Sequence, residues 1–175
     1  MADIQKYSAS CDICTIAKNS QWKYKPKLTP MIRPSTINDC LVIDTVGALP
    51  KTEKGHQHVL SCIDTFSRYC FLEPIPDLST DTILYTLQKI FSTTGVPSVI
   101  ITDNYATFLS KAVQAYYSLL GIKNLHSAAY SPRSTGIIER LHKDLGNALR
   151  CQIVNKQQND WDRDLSLIEH AFRFL

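Results

Sequence analysis

Apolar residues change their spacing along this chain, and the changes mark out its elements. CLVIDTVGAL (40–49) is an almost unbroken apolar run, the pattern of a buried strand. KTEKGH turns the chain, and QHVLSCIDTF (57–66) and YCFLEPI (69–75) predict two more strands. The pattern then shifts to the roughly 3.6-residue repeat of a helix. In STDTILYTLQKIF (79–91), Ile83, Leu84, Leu87, Ile90 and Phe91 share one stripe, with Ser79 or Thr80 as N-cap and Gly95 and Pro97 ending the helix. SVIITD (98–103) reads as a short strand, FLSKAVQAYYSLLG (108–121) as a helix stopped by Gly121, and KNLHSA (123–128) as a strand. Two helices follow, one striped by Ile138, Leu141, Leu145, Ala148 and Leu149, the other by Trp161, Leu165, Ile168, Phe172 and Leu175. The last has no cap, so a core cut short at its C-terminus is expected. The order β-β-β-α-β-α-β-α-α argues for an α/β protein with a mixed sheet flanked by helices.

Composition adds little to this until charge is placed along the chain. The 175 residues are 44% hydrophobic and 20% charged, ordinary for one globular domain with a real core. No apolar run is long enough to cross a membrane, and the N-terminus lacks the apolar stretch of a secretory signal, so an intracellular protein is expected. The net charge is +3, but residues 15–35 alone hold Lys18, Lys23, Lys25, Lys27 and Arg33 and no acid. With Trp22 and Tyr24 interleaved, this segment could track a phosphate backbone while its rings stack; a solvated linker is the plainer alternative. Residues 15–37 read as a basic linker, before a core over 38–175. Cys11 and Cys14 in CDIC have the spacing of half a zinc site. Cys40, Cys62, Cys70 and Cys151 lie in apolar or strand-like surroundings, where a reduced thiol is expected.

Three acids stand out by position. Asp44 interrupts an apolar strand, where a carboxylate must neutralise, pair or bind a cation. Asp103 ends a strand, where sites in α/β sheets gather. Glu139 sits on the helix of SPRSTGIIERLHKDLGNALR (131–150), among His142, Lys143 and Arg150. Hard divalent cations prefer such oxygen ligands, and a pair of cations supports phosphoryl transfer. Asp64 and Glu73 also lie in strands, and capping or ion-paired acids are commoner than metal ligands. His56-x-His58 reads as a polar hairpin face rather than a metal pair.

Thirty-five residues separate Asp103 from Glu139. With that D, D-35-E spacing the sequence resembles the catalytic core of retroviral and LTR-retrotransposon (gypsy-like) integrases. VIDTVGALPKTEKGHQHVLSCIDTFSRYCFLEPI is similar to the family's first three strands, GVPSVIITDNYATFLS to its second aspartate segment and AYSPRSTGIIERLHKDLGNALR to its glutamate segment. CDICTIAK is similar to the end of its His-His-Cys-Cys zinc domain, of which residues 1–14 would be a remnant. The resemblance implies a ribonuclease-H-like fold, a five-stranded mixed sheet with helices on both sides. It implies that Asp44, Asp103 and Glu139 hold two Mg²⁺ or Mn²⁺ ions, and that the activity is 3′-end processing of element DNA followed by strand transfer. Arg133, Lys143 and Arg150 would meet double-stranded DNA. Zn²⁺ at Cys11 and Cys14 would need the two upstream histidines of a longer parent. The resemblance further implies a dimer or tetramer, no membrane association, and action in the nucleus after a cytoplasmic phase. The sequence departs from the family at Tyr105, where a glycine is usual, and at Ser131, where a histidine is usual. Two other classes therefore stand beside the enzyme: a host-adopted relative that binds DNA or a protein without catalysis, and a different nuclease on the same fold.

Overall fold

The computed structural model describes residues 34–126, 143–151 and 159–172. Cys11, Cys14, the linker before residue 34, Arg133 and Glu139 lie outside them. The strands are β1 (Cys40–Gly47), β2 (His58–Asp64), β3 (Cys70–Ile75), β4 (Val99–Thr102) and β5 (Lys123–His126). The helices are α1 (Thr80–Thr94), α2 (Lys111–Leu119), α3 (143–151) and α4 (Leu165–Phe172), with a 3-10 turn at Trp161–Arg163. The strands form one five-stranded sheet in the order β3-β2-β1-β4-β5. Short connections make β1–β2 and β2–β3 antiparallel, while the helical crossovers α1 and α2 make β1–β4 and β4–β5 parallel. This is the mixed sheet that the sequence pattern predicts.

Both faces of the sheet are covered, which explains the unbroken apolar run of β1. Leu41, Ile43, Leu60, Cys62, Ile75 and Ile100 pack against Ile83, Leu87, Ile90 and Phe91 of α1 and Val113 and Tyr117 of α2. On the other face Val59, Ile63, Cys70 and Leu72 meet Leu145 and Leu149 of α3, Trp161, and Leu165, Ile168 and Phe172 of α4. Burial raises the Cys62 thiol far above its ordinary range, so Cys62 serves as a small core side chain. Cys151 differs from expectation: it is exposed on α3, because it lies off the stripe that carries Leu145 and Leu149.

Local chemistry sets the helix ends. Ser79 caps α1, its Oγ accepting from Thr82 N at 3.3 Å. Asp77 Oδ1 accepts from Ser79 N at 2.9 Å and Thr82 Oγ1 at 2.7 Å, and these bonds hold its carboxyl below the usual range. Gly95, at φ 85°, ends the helix. The second helix is shorter than its pattern predicts: Ser110 caps it, and Phe108 turns into the core before it. It ends with Ile122 N bonded to Tyr117 O at 2.9 Å and Gly121 N to Ser118 O at 3.1 Å, a Schellman closure. The final helix is also interrupted. Trp161 lies on the 3-10 turn, and its Nε1 donates to Pro50 O at 2.6 Å. That hydrogen bond and the Trp161 ring's burial outweigh the helical period.

The β2–β3 turn depends on Asp64. Its side chain accepts from Phe66 N and Ser67 N, both at 3.2 Å, and from Ser67 Oγ, and the residue is buried. Arg68 takes the left-handed conformation that closes the turn (φ 66°). Asp64→Ala would strand these donors and should cost about 1–3 kcal/mol in urea denaturation, with Asp64→Asn recovering part of it. The Asp77 carboxyl titrates below its ordinary value. Its capping bonds are therefore present above the usual carboxylate range and lost as pH falls through the lowered value. The Ser79 amide resonance should titrate with a midpoint below about 3.9, the ordinary aspartate value, and Asp77→Asn should abolish that titration.

Candidate active site

The parallel pairing of β1 and β4 runs from Cys40↔Val99 to Ile43↔Thr102. One step further along both strands brings Asp44 beside Asp103. Neighbouring strands lie about 4.8 Å apart, so this register sets the two acids side by side where β4 ends, with β1 running on to Gly47. Alternation sets their face. Leu41, Ile43 and Ile100 point into the core under α1 and α2, whereas Val46 packs against the opposite core. Asp44 shares Val46's parity, and Asp103 is one step out of phase with Thr102, so both acids fall on the α3 side of the sheet.

Each carboxylate is oriented by a nearby main-chain amide. Asp44 is half-buried, and its Oδ1 accepts from Thr45 N at 2.7 Å. Across the antiparallel pair, Ser61 Oγ donates to Asp44 O at 3.1 Å, tying the β1 backbone at this point. Asp103 is exposed, and its Oδ1 accepts from Tyr105 N at 3.0 Å. This Asx turn redirects the chain after β4. Among the described residues only Asn38 and Arg68 show positive φ outside glycine, so Tyr105 fits this loop without backbone strain. The loop is pinned behind it by Thr107 Oγ1 to Leu78 O (2.8 Å) and Gln114 Nε2 to Phe108 O (2.7 Å).

Lys143 and Arg150 are both exposed on α3. Seven residues apart, they differ by only about 20° around a helix, so they share a stripe, while Leu145 and Leu149 fix the helix to the sheet. The competing acids are occupied elsewhere. Asp64 lies opposite Leu41, three residues along β1 from Asp44, and is used by its own turn. Glu73 Oε2 pairs with Lys89 Nζ at 2.6 Å. His56 Nδ1 lies 2.8 Å from Asp162 Oδ2, so it belongs to a polar hairpin contact. Asp162 and Ser61 carried no signal in the sequence: one is the middle of three alternating acids, Asp160, Asp162 and Asp164, with nothing to single it out, the other a lone serine inside a strand.

Among the described residues no group of three or more His, Cys, Asp or Glu side chains converges on a possible metal position. The two acids that the strand register sets side by side, Asp44 and Asp103, are carboxylates, the ligand type of hard divalent cations. Asp103 Oδ2 accepts no hydrogen bond among the described residues. Two carboxylates side by side repel each other, and a cation between them would offset this. The local chemistry therefore fits Mg²⁺ or Mn²⁺.

Comparison with known proteins gives this arrangement a family. Residues 34–132 match the model of the integrase core domain. The chain is 28% identical over 148 residues to the retrovirus-related Pol polyprotein from transposon 412 of Drosophila melanogaster, covering 82% of the chain and 12% of that protein. It is 29% identical over 160 residues to the Pro-Pol polyprotein of simian foamy virus type 3 (strain LK3), covering 91% of the chain and 14% of that protein. The chain thus spans only a small part of these relatives. Among solved structures it is similar to the catalytic core domain of BIV integrase (TM-score 0.60, 20% identity, 75% of this chain and 81% of that one). It is also similar to the dimeric form of the HTLV-2 integrase catalytic core domain in complex with magnesium (TM-score 0.62, 20% identity, 78% and 87%). These likenesses identify the sheet and its helices as a ribonuclease-H-like fold, and the chain belongs to the integrase core domain family.

Proposed function

We propose that this chain is the catalytic core of an LTR-retrotransposon or related integrase, which processes the 3′ ends of element DNA and joins them to target DNA. One observation carries the reading: the β1–β4 pairing ends at Ile43↔Thr102, so Asp44 and Asp103 are the next residues on both chains, where β4 terminates. Asp44, Asp103 and Glu139 would hold two Mg²⁺ or Mn²⁺ ions. Bound there, such ions activate a water or 3′-hydroxyl and stabilise the leaving oxygen of an in-line phosphoryl transfer. The chain's own part is to fix the carboxylates. Thr45 N and Tyr105 N each hold one oxygen of a carboxylate, so little ordering remains for when DNA arrives.

A helix continued back four residues from Lys143 would bring Glu139 onto the stripe shared by Lys143 and Arg150. That is the arrangement expected if one helix both supplies an acid and meets phosphates. Arg133 would add a further phosphate contact, and Tyr105 would sit at the edge of the site. The magnesium complex and the dimeric form of the HTLV-2 core support a metal-dependent, oligomeric assembly, a dimer or tetramer. Zn²⁺ at Cys11 and Cys14 belongs to the same reading, in a parent with two upstream histidines, as does action on chromosomal DNA in the nucleus.

The test is a joining assay on a labelled duplex in Mn²⁺ and Mg²⁺. Asp44→Asn, Asp103→Asn and Glu139→Gln should each lower joining by about two orders of magnitude or more while leaving metal-free duplex binding intact. A variant that joins at the wild-type rate would remove its residue from the site; a wild-type chain that binds duplex but does not join it would be a DNA-binding protein without catalysis. Lys143→Ala and Arg150→Ala should each flatten the salt dependence of duplex binding by about one unit of slope, uniformly across sequences. An unchanged slope would return α3 to a solvated surface.

A further inference from the structure

The hairpin between β1 and β2 leaves the sheet at the end where Asp44 and Asp103 stand. β1 runs on about 10 Å from Asp44 to Gly47 before the hairpin begins. Inside the hairpin, Leu49 N donates to Gln57 O (2.7 Å), and Thr52 N to His56 O (2.9 Å). Gly55 N closes the tip turn on Thr52 O (2.9 Å), and Gly55 takes a φ of 88° that favours glycine.

The tip is also held from outside the sheet, by the segment around Trp161. Trp161 Nε1 donates to Pro50 O at 2.6 Å, and Glu53 N to Asn159 O at 3.2 Å. Asp162 Oδ2 accepts from Thr52 Oγ1 at 3.2 Å and lies 2.8 Å from His56 Nδ1, with the Asp162 side chain only 3% exposed. Arg163 reaches Glu53 and Asp160, both at 3.0 Å. The acids near the tip are thus taken up by this latch. Lys51 and Lys54 are not: both are exposed, and neither makes an ion pair among the described residues. The Lys51 stem lies over Gly55, its Cε 3.8 Å from where a Cβ on that glycine would stand.

We propose that this hairpin is a rigid phosphate-binding arm for duplex DNA, with Lys51 and Lys54 as its contacts and Asp162 as the positioning residue that holds the tip. The proposal rests on reading the neighbouring carboxylates as a DNA-processing site. Two cations on a mobile loop would lose much of their binding energy to ordering; on a latched tip that cost is met on folding. The arm rises from the same sheet end as the carboxylates, so a duplex crossing them would meet it a few nucleotides away.

Fluorescence anisotropy of the full 175-residue chain with a fluorescein-labelled blunt DNA duplex, without divalent metal and over a salt series, tests this. Lys51→Ala with Lys54→Ala should flatten the salt dependence by about two units of slope and weaken binding roughly tenfold near 0.1 M salt. Asp162→Ala separates a held arm from diffuse charge. It removes a negative charge, so diffuse attraction would leave binding unchanged or tighter, whereas a released tip weakens it several-fold. If Asp162→Ala does not fold, Trp161→Phe deletes a latch hydrogen bond without altering charge and carries the same expected loss. Wild-type slope in the lysine double variant, or unweakened binding in the folded latch variant, overturns the arm and leaves the carboxylate reading standing. A wild-type chain that binds no duplex overturns both.

Discussion

The pairing of β1 with β4 constrains everything else in this molecule. β1 is bonded on both edges, to β2 antiparallel and to β4 parallel, and its first four residues are buried. Within such a strand an unpartnered charge costs several kcal/mol, so a carboxylate is better tolerated where a neighbouring strand stops. Asp44 sits at that boundary. One residue earlier, a carboxylate would enter the core that holds Ile43. One residue later, it would face away from Asp103. Because β4 stops at Thr102, in register with Ile43, the two acids emerge together.

The same sheet shows two ways of keeping an acid at a strand end. Asp64 is buried, and main-chain and hydroxyl donors from its own turn occupy it. Its charge is spent on holding the β2–β3 turn. Asp103 accepts one main-chain amide bond among the described residues and remains exposed, which leaves a carboxylate oxygen for something outside the chain. Residue type does not separate these roles; the number of donors brought to each carboxylate does.

Segments far apart in the chain complete the site's surroundings. The β1–β2 hairpin and the Trp161 turn are separated by about a hundred residues, yet they share the Pro50–Trp161 and Thr52–His56–Asp162 hydrogen bonds. Trp161 also belongs to the core formed with α3 and α4. The helix that carries Lys143 and Arg150 and the hairpin that carries Lys51 and Lys54 are thus fixed to the same face of the sheet by one hydrophobic cluster.

The strands, the crossover helices and their order were legible in the sequence, because burial on two faces imposes apolar runs and burial on one stripe imposes the helical period. Asp44, Asp103 and Glu139 were also legible as candidates, from a polar residue in an apolar strand, a strand end, and a spacing similar to that of a known family. Tertiary structure decided the rest. Which acid stands beside which depends on strand register, and nothing local encodes the step from Ile43↔Thr102 to Asp44 and Asp103. Phe108 and Trp161 left their expected helices because side-chain burial and, for Trp161, a hydrogen bond to Pro50 outweighed periodicity. Ser61 and Asp162 were invisible in the sequence for the same reason: a polar side chain gains a role only when a partner distant in the chain is folded against it, and that proximity is a property of the packed core.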